Sequence, residues 1–349
     1  MPIRVLVVDD SLFMRTLISD MLNSDPEIEV VDTAKEGLQA IGKITKARPD
    51  CITLDLVMPG WDGLTTLKHI MSECPVPVVI LSAHSRRDAD VTIECLETGA
   101  VGFVLKPSGE LSLNIENVKH QLLEEVKAAS KVKLKKIKLL TAEKPKRRKR
   151  KLVGIGKIIV IGASTGGPQT LESILPSLPA DFPAPIIVAQ HVPNVFFTES
   201  LAKHLSCLCE LAVKVAEDNE IVRAGKIYFA PGGSHMTLYP LPNREVTPHI
   251  NEAKSDILTP LIDLAMESVA KIFNENAVGI ILTGMGCDGC EGMRAIKQAG
   301  GRTIVQDESS LIFGMPKAVI DAGYADEVLP AGEIAEAMTE CVLQESINV

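Results

Sequence analysis

Aromatic residues are scarce in this 349-residue chain: one Trp, three Tyr and eight Phe, 3% of the whole. Proteins that grip single-stranded nucleic acid use such rings as stacking platforms, so that class is poorly supplied here. Long hydrophobic runs are missing too. No stretch approaches the ~18–20 apolar residues that span a bilayer. The opening run IRVLVV stops at Asp9 and Asp10, which argues against a secretory leader and for a cytoplasmic protein. The eight cysteines (51, 74, 95, 207, 209, 287, 290 and 341) are scattered, without the spacing of a secreted disulfide framework. What remains is 46% hydrophobic with a mean hydropathy of +0.18. That is material for well-buried cores, in a chain long enough for two domains.

The net charge of −9 conceals an asymmetry. Residues 131–151 hold 12 Lys/Arg and one Glu, a local +11, so the rest of the chain carries −20. KPKRRKRK (144–151) cannot be core. A solvated linker is the plain reading. Attraction to an acidic partner or a membrane surface is the sharper one. No helix-turn-helix or zinc-finger pattern accompanies the charge, so no nucleic acid is expected as a partner.

Strand and helix signals alternate on both sides of this basic segment. The first set has apolar runs at RVLVVD (4–9), IEVVDT (28–33), CITLDL (51–56), PVVILS (77–82) and GFVLK (102–106). Ser11 is a plausible N-cap for SLFMRTLISDML, and a last helix covers about 110–128. The second set has KIIVIG (157–162), PIIVAQ (185–190), KIYFAP (226–231), GIILTG (279–284), RTIVQD (302–307) and DEVLP (326–330). Helices are expected near 168–176, 197–206, 260–274, 288–299, 315–322 and 331–343. The fold class is α/β: two doubly wound parallel-sheet domains, the first flavodoxin-like and the second Rossmann-like. Expected boundaries are 1–125 for the first domain, 126–155 for the basic linker and 156–346 for the second domain.

In such sheets the strand ends on one side line a single crevice. In the first domain those ends carry Asp9, Asp10, Asp55, Ser82 and Lys106. Three clustered carboxylates repel one another and call for a cation. Hard oxygen ligands with room for water favour Mg²⁺. A carboxylate beside Mg²⁺ and a lysine can attack a phosphoryl donor, and Asp55, on the central strand, is the candidate.

In the second domain Ser164, His191 and Asp288 follow three apolar runs. GASTGGP (162–168) follows a strand and opens a helix. Alone it fits a nucleophile turn or a phosphate-cradling loop equally, although neither G-x-G-x-x-G nor G-x-x-x-x-G-K-[ST] is present. A lone histidine after a strand is commonly structural, and an Asp between glycines is commonly a turn. The three together have the composition of a serine hydrolase triad. His191 would take the Ser164 proton, Asp288 would fix the imidazole tautomer, and the backbone amides of Thr165 and Met285 would hold the oxyanion. No cofactor is expected there. Cys287 and Cys290 form a C-x-x-C around Asp288; a redox latch is conceivable, two small loop residues the plainer reading. His235 could line the groove, though a histidine in a Gly-rich turn is commonly structural.

The first domain resembles the response-regulator receiver family, through VVDD (7–10), LDLVMPGWDG (54–63), ILSAH (80–84) and FVLKP (103–107). The resemblance implies phosphorylation of Asp55 by a histidine kinase. It also implies Mg²⁺ held by Asp10 and Asp55, helped by Asp9 and the carbonyl of Val57, with Ser82 and Phe103 as switch residues. The second domain resembles the chemotaxis protein-glutamate methylesterase family, through GASTGGP (162–168), QHVPNVFFTESLAKHL (190–205), YFAPGGSHM (228–236), LTGMGCDG (282–289) and FGMPKAVIDAG (313–323). This implies a phosphorylation-activated hydrolase of glutamate methyl esters, and of certain glutamine amides, on methyl-accepting chemotaxis receptors. The family's triad falls on Ser164, His191 and Asp288. Contact with the membrane would come only through the receptors. A receiver controlling an inactive hydrolase fold, or a DNA-binding module, are the alternative classes; loss of Ser164 or His191 would have favoured the former.

Overall fold

The computed structural model describes residues 1–107, 112–132, 134, 156–242, 245–253 and 259–343, with 112–114 as backbone only. The chain divides into two compact units, Met1–Lys138 and Leu139–Val349.

The first unit is an unbroken βα alternation: β1 (Ile3–Val8), α1 (Leu12–Asn23), β2 (Ile28–Ala34), α2 (Gly37–Ala47), β3 (Cys51–Asp55), α3 (Gly63–Glu73), β4 (Val78–Ser82), α4 (Arg86–Thr98), β5 (Gly102–Leu105) and α5 (Ser112–Ala129). The five strands pair in parallel in the order β2-β1-β3-β4-β5, as expected for the flavodoxin-like order. Helices cover both faces of such a sheet, so its inner strands lose alternation and become continuous apolar runs. Every residue of β3 and β4 is buried. Helix starts are fixed locally: Ser11, Asp62 and Ser85 accept from the amides of Met14, Thr65 and Asp88. Helix α5 runs to Ala129, past the boundary expected at 125. Most of the expected basic linker, KPKRRKRK included, lies outside the described residues.

The second unit contains β6 (Ile158–Ala163), α6 (Gly167–Ile174), β7 (Ile186–Gln190), α7 (Val195–Leu208), β8 (Ala212–Val215), β9 (Lys226–Phe229), β10 (Ser234–Pro240), β11 (Val246–Glu252), α8 (Ile262–Phe273), β12 (Ala277–Ile281), α9 (Cys290–Gln298), β13 (Arg302–Gln306), α10 (Met315–Asp321), β14 (Glu327–Leu329) and α11 (Ala331–Leu343). Seven strands pair in parallel in the order β14-β13-β12-β6-β7-β9-β8. From β6 the chain moves to β7 on one side and later returns to place β12 on the other. That reversal is the switch point at which open α/β sheets bind ligands.

Three strands escaped the sequence reading. β8 is a short edge strand with no fully buried residue. β10 and β11 form an antiparallel hairpin apart from the main sheet. Their polar, proline-containing sequences SHMTLYP and VTPHINE read as loop.

Candidate functional site

The two sheets present different chemistry at their C-terminal edges. In the first unit, ligand oxygens of Asp9, Asp10 and Asp55 all lie within 4.8 Å of one another. Asp9 and Asp55 are buried, while Asp10 is exposed. Lys106, just past β5, bridges Asp9 Oδ2 and Asp55 Oδ1, at 2.7 Å from each. Asp9 Oδ1 also accepts from the Ser11 amide at 2.9 Å, and Asp55 Oδ1 from the Val57 amide at 3.2 Å. Burial pushes the Asp55 carboxyl up, Lys106 pulls it down and Asp9 pushes it up again; the net shift is upward. One ammonium therefore does not compensate the cluster. An all-oxygen set short of positive charge suits Mg²⁺, and Asp9, Asp10 and Asp55 are its available carboxylates.

Around this cluster, the Ser82 hydroxyl ends β4, is buried, and accepts from Thr92 Oγ1 of α4 at 2.8 Å. Thr92 was not singled out from the sequence; its partner ends the preceding strand, ten residues earlier. Phe103 is half-buried on β5, in register with Ile80. Trp61, in the loop between β3 and α3, stacks on His69 of α3, with ring centroids 4.1 Å apart and planes 11° apart.

In the second unit Ser164, His191 and Asp288 follow β6, β7 and β12, three adjacent strands. Their side chains form one hydrogen-bonded chain. Ser164 Oγ lies 3.2 Å from His191 Nδ1, and His191 Nε2 lies 2.8 Å from Asp288 Oδ2. The turn carrying Ser164 is tied to both neighbouring strands: the Ser164 amide donates to Thr283 O, and the His191 amide to Ala163 O. Thr283 Oγ1 donates to Thr165 O and accepts from the Ile312 amide, both at 2.9 Å. Two glycines are required sterically. Gly166, at the start of α6, has φ of +79°, and a Cβ on Gly284 would come within 2.7 Å of Ser164 Cβ.

Asp288 is held from an unexpected direction. Its Oδ2 accepts from the Ile262 amide at 2.8 Å, and its Oδ1 from the amides of Asp263 at 3.0 Å and Gly289 at 2.9 Å. The first two belong to the opening turn of α8, where unpaired amides and the helix dipole favour an anion. Burial works to raise the Asp288 carboxyl, but His191 and the two α8 amides outweigh it and hold it below the usual range. Beside it, burial and the Asp288 charge lift Asp263 to about 6, against the pull of the Gly292 and Gly289 amides. His235 accepts the Leu261 amide on Nδ1 at 3.2 Å, at the same helix start. Burial lowers its imidazole, against the Asp288 charge. The sequence reading missed Asp263 and Thr283. The available signal was an acid in the first turn of α8. All eight cysteines are free, and the burial-raised thiol of Cys290 donates to Ala318 O at 3.7 Å.

Comparison with known proteins agrees with this geometry. The CheB methylesterase family model matches residues 159–338, more than half of the chain, and the response regulator receiver domain model matches 5–116. The chain belongs to the CheB methylesterase family. A protein-glutamate methylesterase/protein-glutamine glutaminase of Pyrococcus horikoshii is 43% identical over 97% of the chain and 94% of its own length. The Thermotoga maritima protein of the same name is also 43% identical, over 97% of the chain and 98% of itself. The crystal structure of the Thermotoga maritima CheB methylesterase catalytic domain is 46% identical over 53% of the chain and 98% of that domain, with a TM-score of 0.51. The enzyme is thus a receiver-fused methylesterase. No helix among its described residues is long and apolar enough to cross a membrane.

Proposed function

We propose that the second unit hydrolyses glutamate methyl esters on methyl-accepting chemotaxis receptors by acyl transfer through Ser164, and deamidates specific receptor glutamines by the same route. The Ser164–His191–Asp288 hydrogen-bond chain carries this reading. The proton roles in this reading follow the contacts of the two ring nitrogens. Nε2–H donates to Asp288, leaving the Nδ1 lone pair to take the proton of the Ser164 hydroxyl as it attacks the ester carbonyl. The same proton then passes from Nδ1 to the departing methoxide, releasing methanol, and water repeats the sequence to free the carboxylate. Asp288 stays ionised because α8 supplies its remaining donors. The amides of Thr165, at the turn into α6, and Met285, in the glycine loop after β12, are assigned to the oxyanion.

The first unit is read as the switch. Asp55 accepts a phosphoryl group from a histidine kinase. Asp9, Asp10, Asp55 and the carbonyl of Val57 would hold Mg²⁺, which would supply counter-charge to the phosphoryl oxygens. Lys106 contributes a second cation. Ser82 and Phe103 respond to the phosphoryl group, shifting a two-state balance toward the active enzyme in receptor adaptation. The proposed division keeps the receiver, basic linker and catalytic order, with the first boundary moved from 125 to Ala129, where α5 ends, and the catalytic unit at 156–346. The test is methanol release from methylated receptors in membranes by the full chain, with and without a small phosphodonor. Release that neither depends on Ser164 nor rises with the donor would overturn both halves.

A further inference from the structure

We propose that Asp263 is the positioning residue of the triad, locking Asp288 through a reciprocal cap between the starts of α8 and α9. This rests on the hydrolase reading above. Asp288 precedes α9, yet its carboxylate closes the first turn of α8 by accepting from Ile262 and Asp263. Asp263 lies in that first turn of α8, and its Oδ1 closes the first turn of α9 by accepting from the Gly292 amide at 2.7 Å. Each helix start is therefore capped by an acid from the other. The exchange requires the helices to touch: a Cβ on Gly292 would come within 2.4 Å of Met266 Cβ. Swinging Asp288 away from His191 would break its bonds to the amides of Ile262, Asp263 and Gly289. Losing the Asp263 carboxylate would release the first turn of α9, two residues beyond Asp288. Misplacing a catalytic group by about 1 Å can cost ~10²-fold in rate.

The two carboxyls are also close enough for the Asp288 charge, together with burial, to raise Asp263 to about 6. Asp263 therefore takes up a proton as pH falls through about 6, while Asp288 is held low. Protonating Asp263 removes the charge that strengthens its bond to the Gly292 amide and so loosens the cap beside Asp288. Among the described residues, other charges near this pair are few. Strands β6, β7 and β12, which pack against α8, have no charged side chain. The hairpin brings His235, α9 brings Cys290, Glu291 and Arg294, and α8 itself brings Glu267.

The test is the rate at which a fluorophosphonate probe labels Ser164 in the full chain, followed between about pH 5 and 9. Asp263→Ala should label ~10²-fold more slowly at every pH. Asp263→Asn keeps an oxygen for the Gly292 amide and should stay within ~10-fold of wild type at pH 8. Its profile should lose the component centred near pH 6. A purely structural role would lower the whole profile without changing its shape. An Asn variant with the wild-type profile shape overturns the proposal. So does a folded Ala variant that labels at the wild-type rate; if the Ala variant does not fold, the Asn profile decides. A wild-type chain that labels at Ser164 but frees no methanol sinks the receptor-ester reading and leaves this test standing. One that does not label at Ser164 sinks both.

Discussion

Asp55 and Asp288 occupy equivalent places in two parallel sheets, each past the C-terminal end of an inner strand or closing it, and each largely buried. Their carboxyls are displaced in opposite directions. Asp55 goes up, because burial and Asp9 together exceed what Lys106 returns. Asp288 goes down, because His191 and the amides of Ile262 and Asp263 exceed the cost of burial. The fold does not set the sign; the donors do. One strand end collects like charges and remains short of positive charge, which suits a cation from solution. The other is completed from within the chain by a helix start and an imidazole.

Four measurements can break or sharpen this contrast. The largest effect is expected at the internally completed site. Ser164→Ala should lower methanol release by ~10³-fold or more, because triad members act as a unit. Asp288→Asn should lose up to ~10⁴-fold through the wrong histidine tautomer. Turnover near wild type in either variant would remove the triad.

Next comes dependence on added metal. EDTA should suppress labelling of Asp55 by a small phosphodonor by ~10²-fold or more, since the cation carries much of the charge on the transferring group. It should leave fluorophosphonate labelling of Ser164 unchanged. If both activities fall together, the two sites are not the separate kinds described here.

A smaller effect is expected from Thr92→Val. Its hydroxyl donates to the buried Ser82, so the variant should cost ~1 kcal/mol in urea unfolding of the receiver unit. It should also alter the phosphodonor response more than the basal ester rate. An unchanged response would detach Ser82 from the switch.

The smallest is a further test of internal completion. Asp326, before β14, accepts from the Thr303 amide and hydroxyl and from Lys297. Burial raises its carboxyl, but these partners together hold it low. A depressed folded value contributes stability that is present above the unfolded value of about 4 and is lost as pH falls below it. Asp326→Asn should therefore cost ~1 kcal/mol in urea unfolding near neutrality, with the difference from wild type shrinking below about pH 4. A constant difference across that range would contradict the assignment.

Much of this was legible beforehand, for local reasons. Buried parallel strands appear as apolar runs, and a polar residue ending such a run lies at the crevice; hence Asp9, Asp55, Ser164, His191 and Asp288 could be read directly. Asp263 could not. Its significance arises from meeting Asp288 across 25 residues, and in sequence it is an ordinary acid at a helix start. The same holds for Thr92 and Thr283, whose partners are on other elements. Which imidazole nitrogen faces Ser164 is also a tertiary fact, since Ser164 and Asp288 come from elements far apart in sequence. The β10–β11 hairpin escaped because a sheet of polar and proline residues has no strong period.

The stacked pair of Trp61 and His69 gives the molecule a built-in optical probe. Trp61 is the chain's one indole, placed six residues past Asp55, and the unit carrying Ser164 has none. Intrinsic fluorescence excited at the indole band therefore reports on the receiver domain alone. Quenching by the stacked imidazole would change with any movement of that loop, so the switch could be watched in the intact enzyme without attaching a dye.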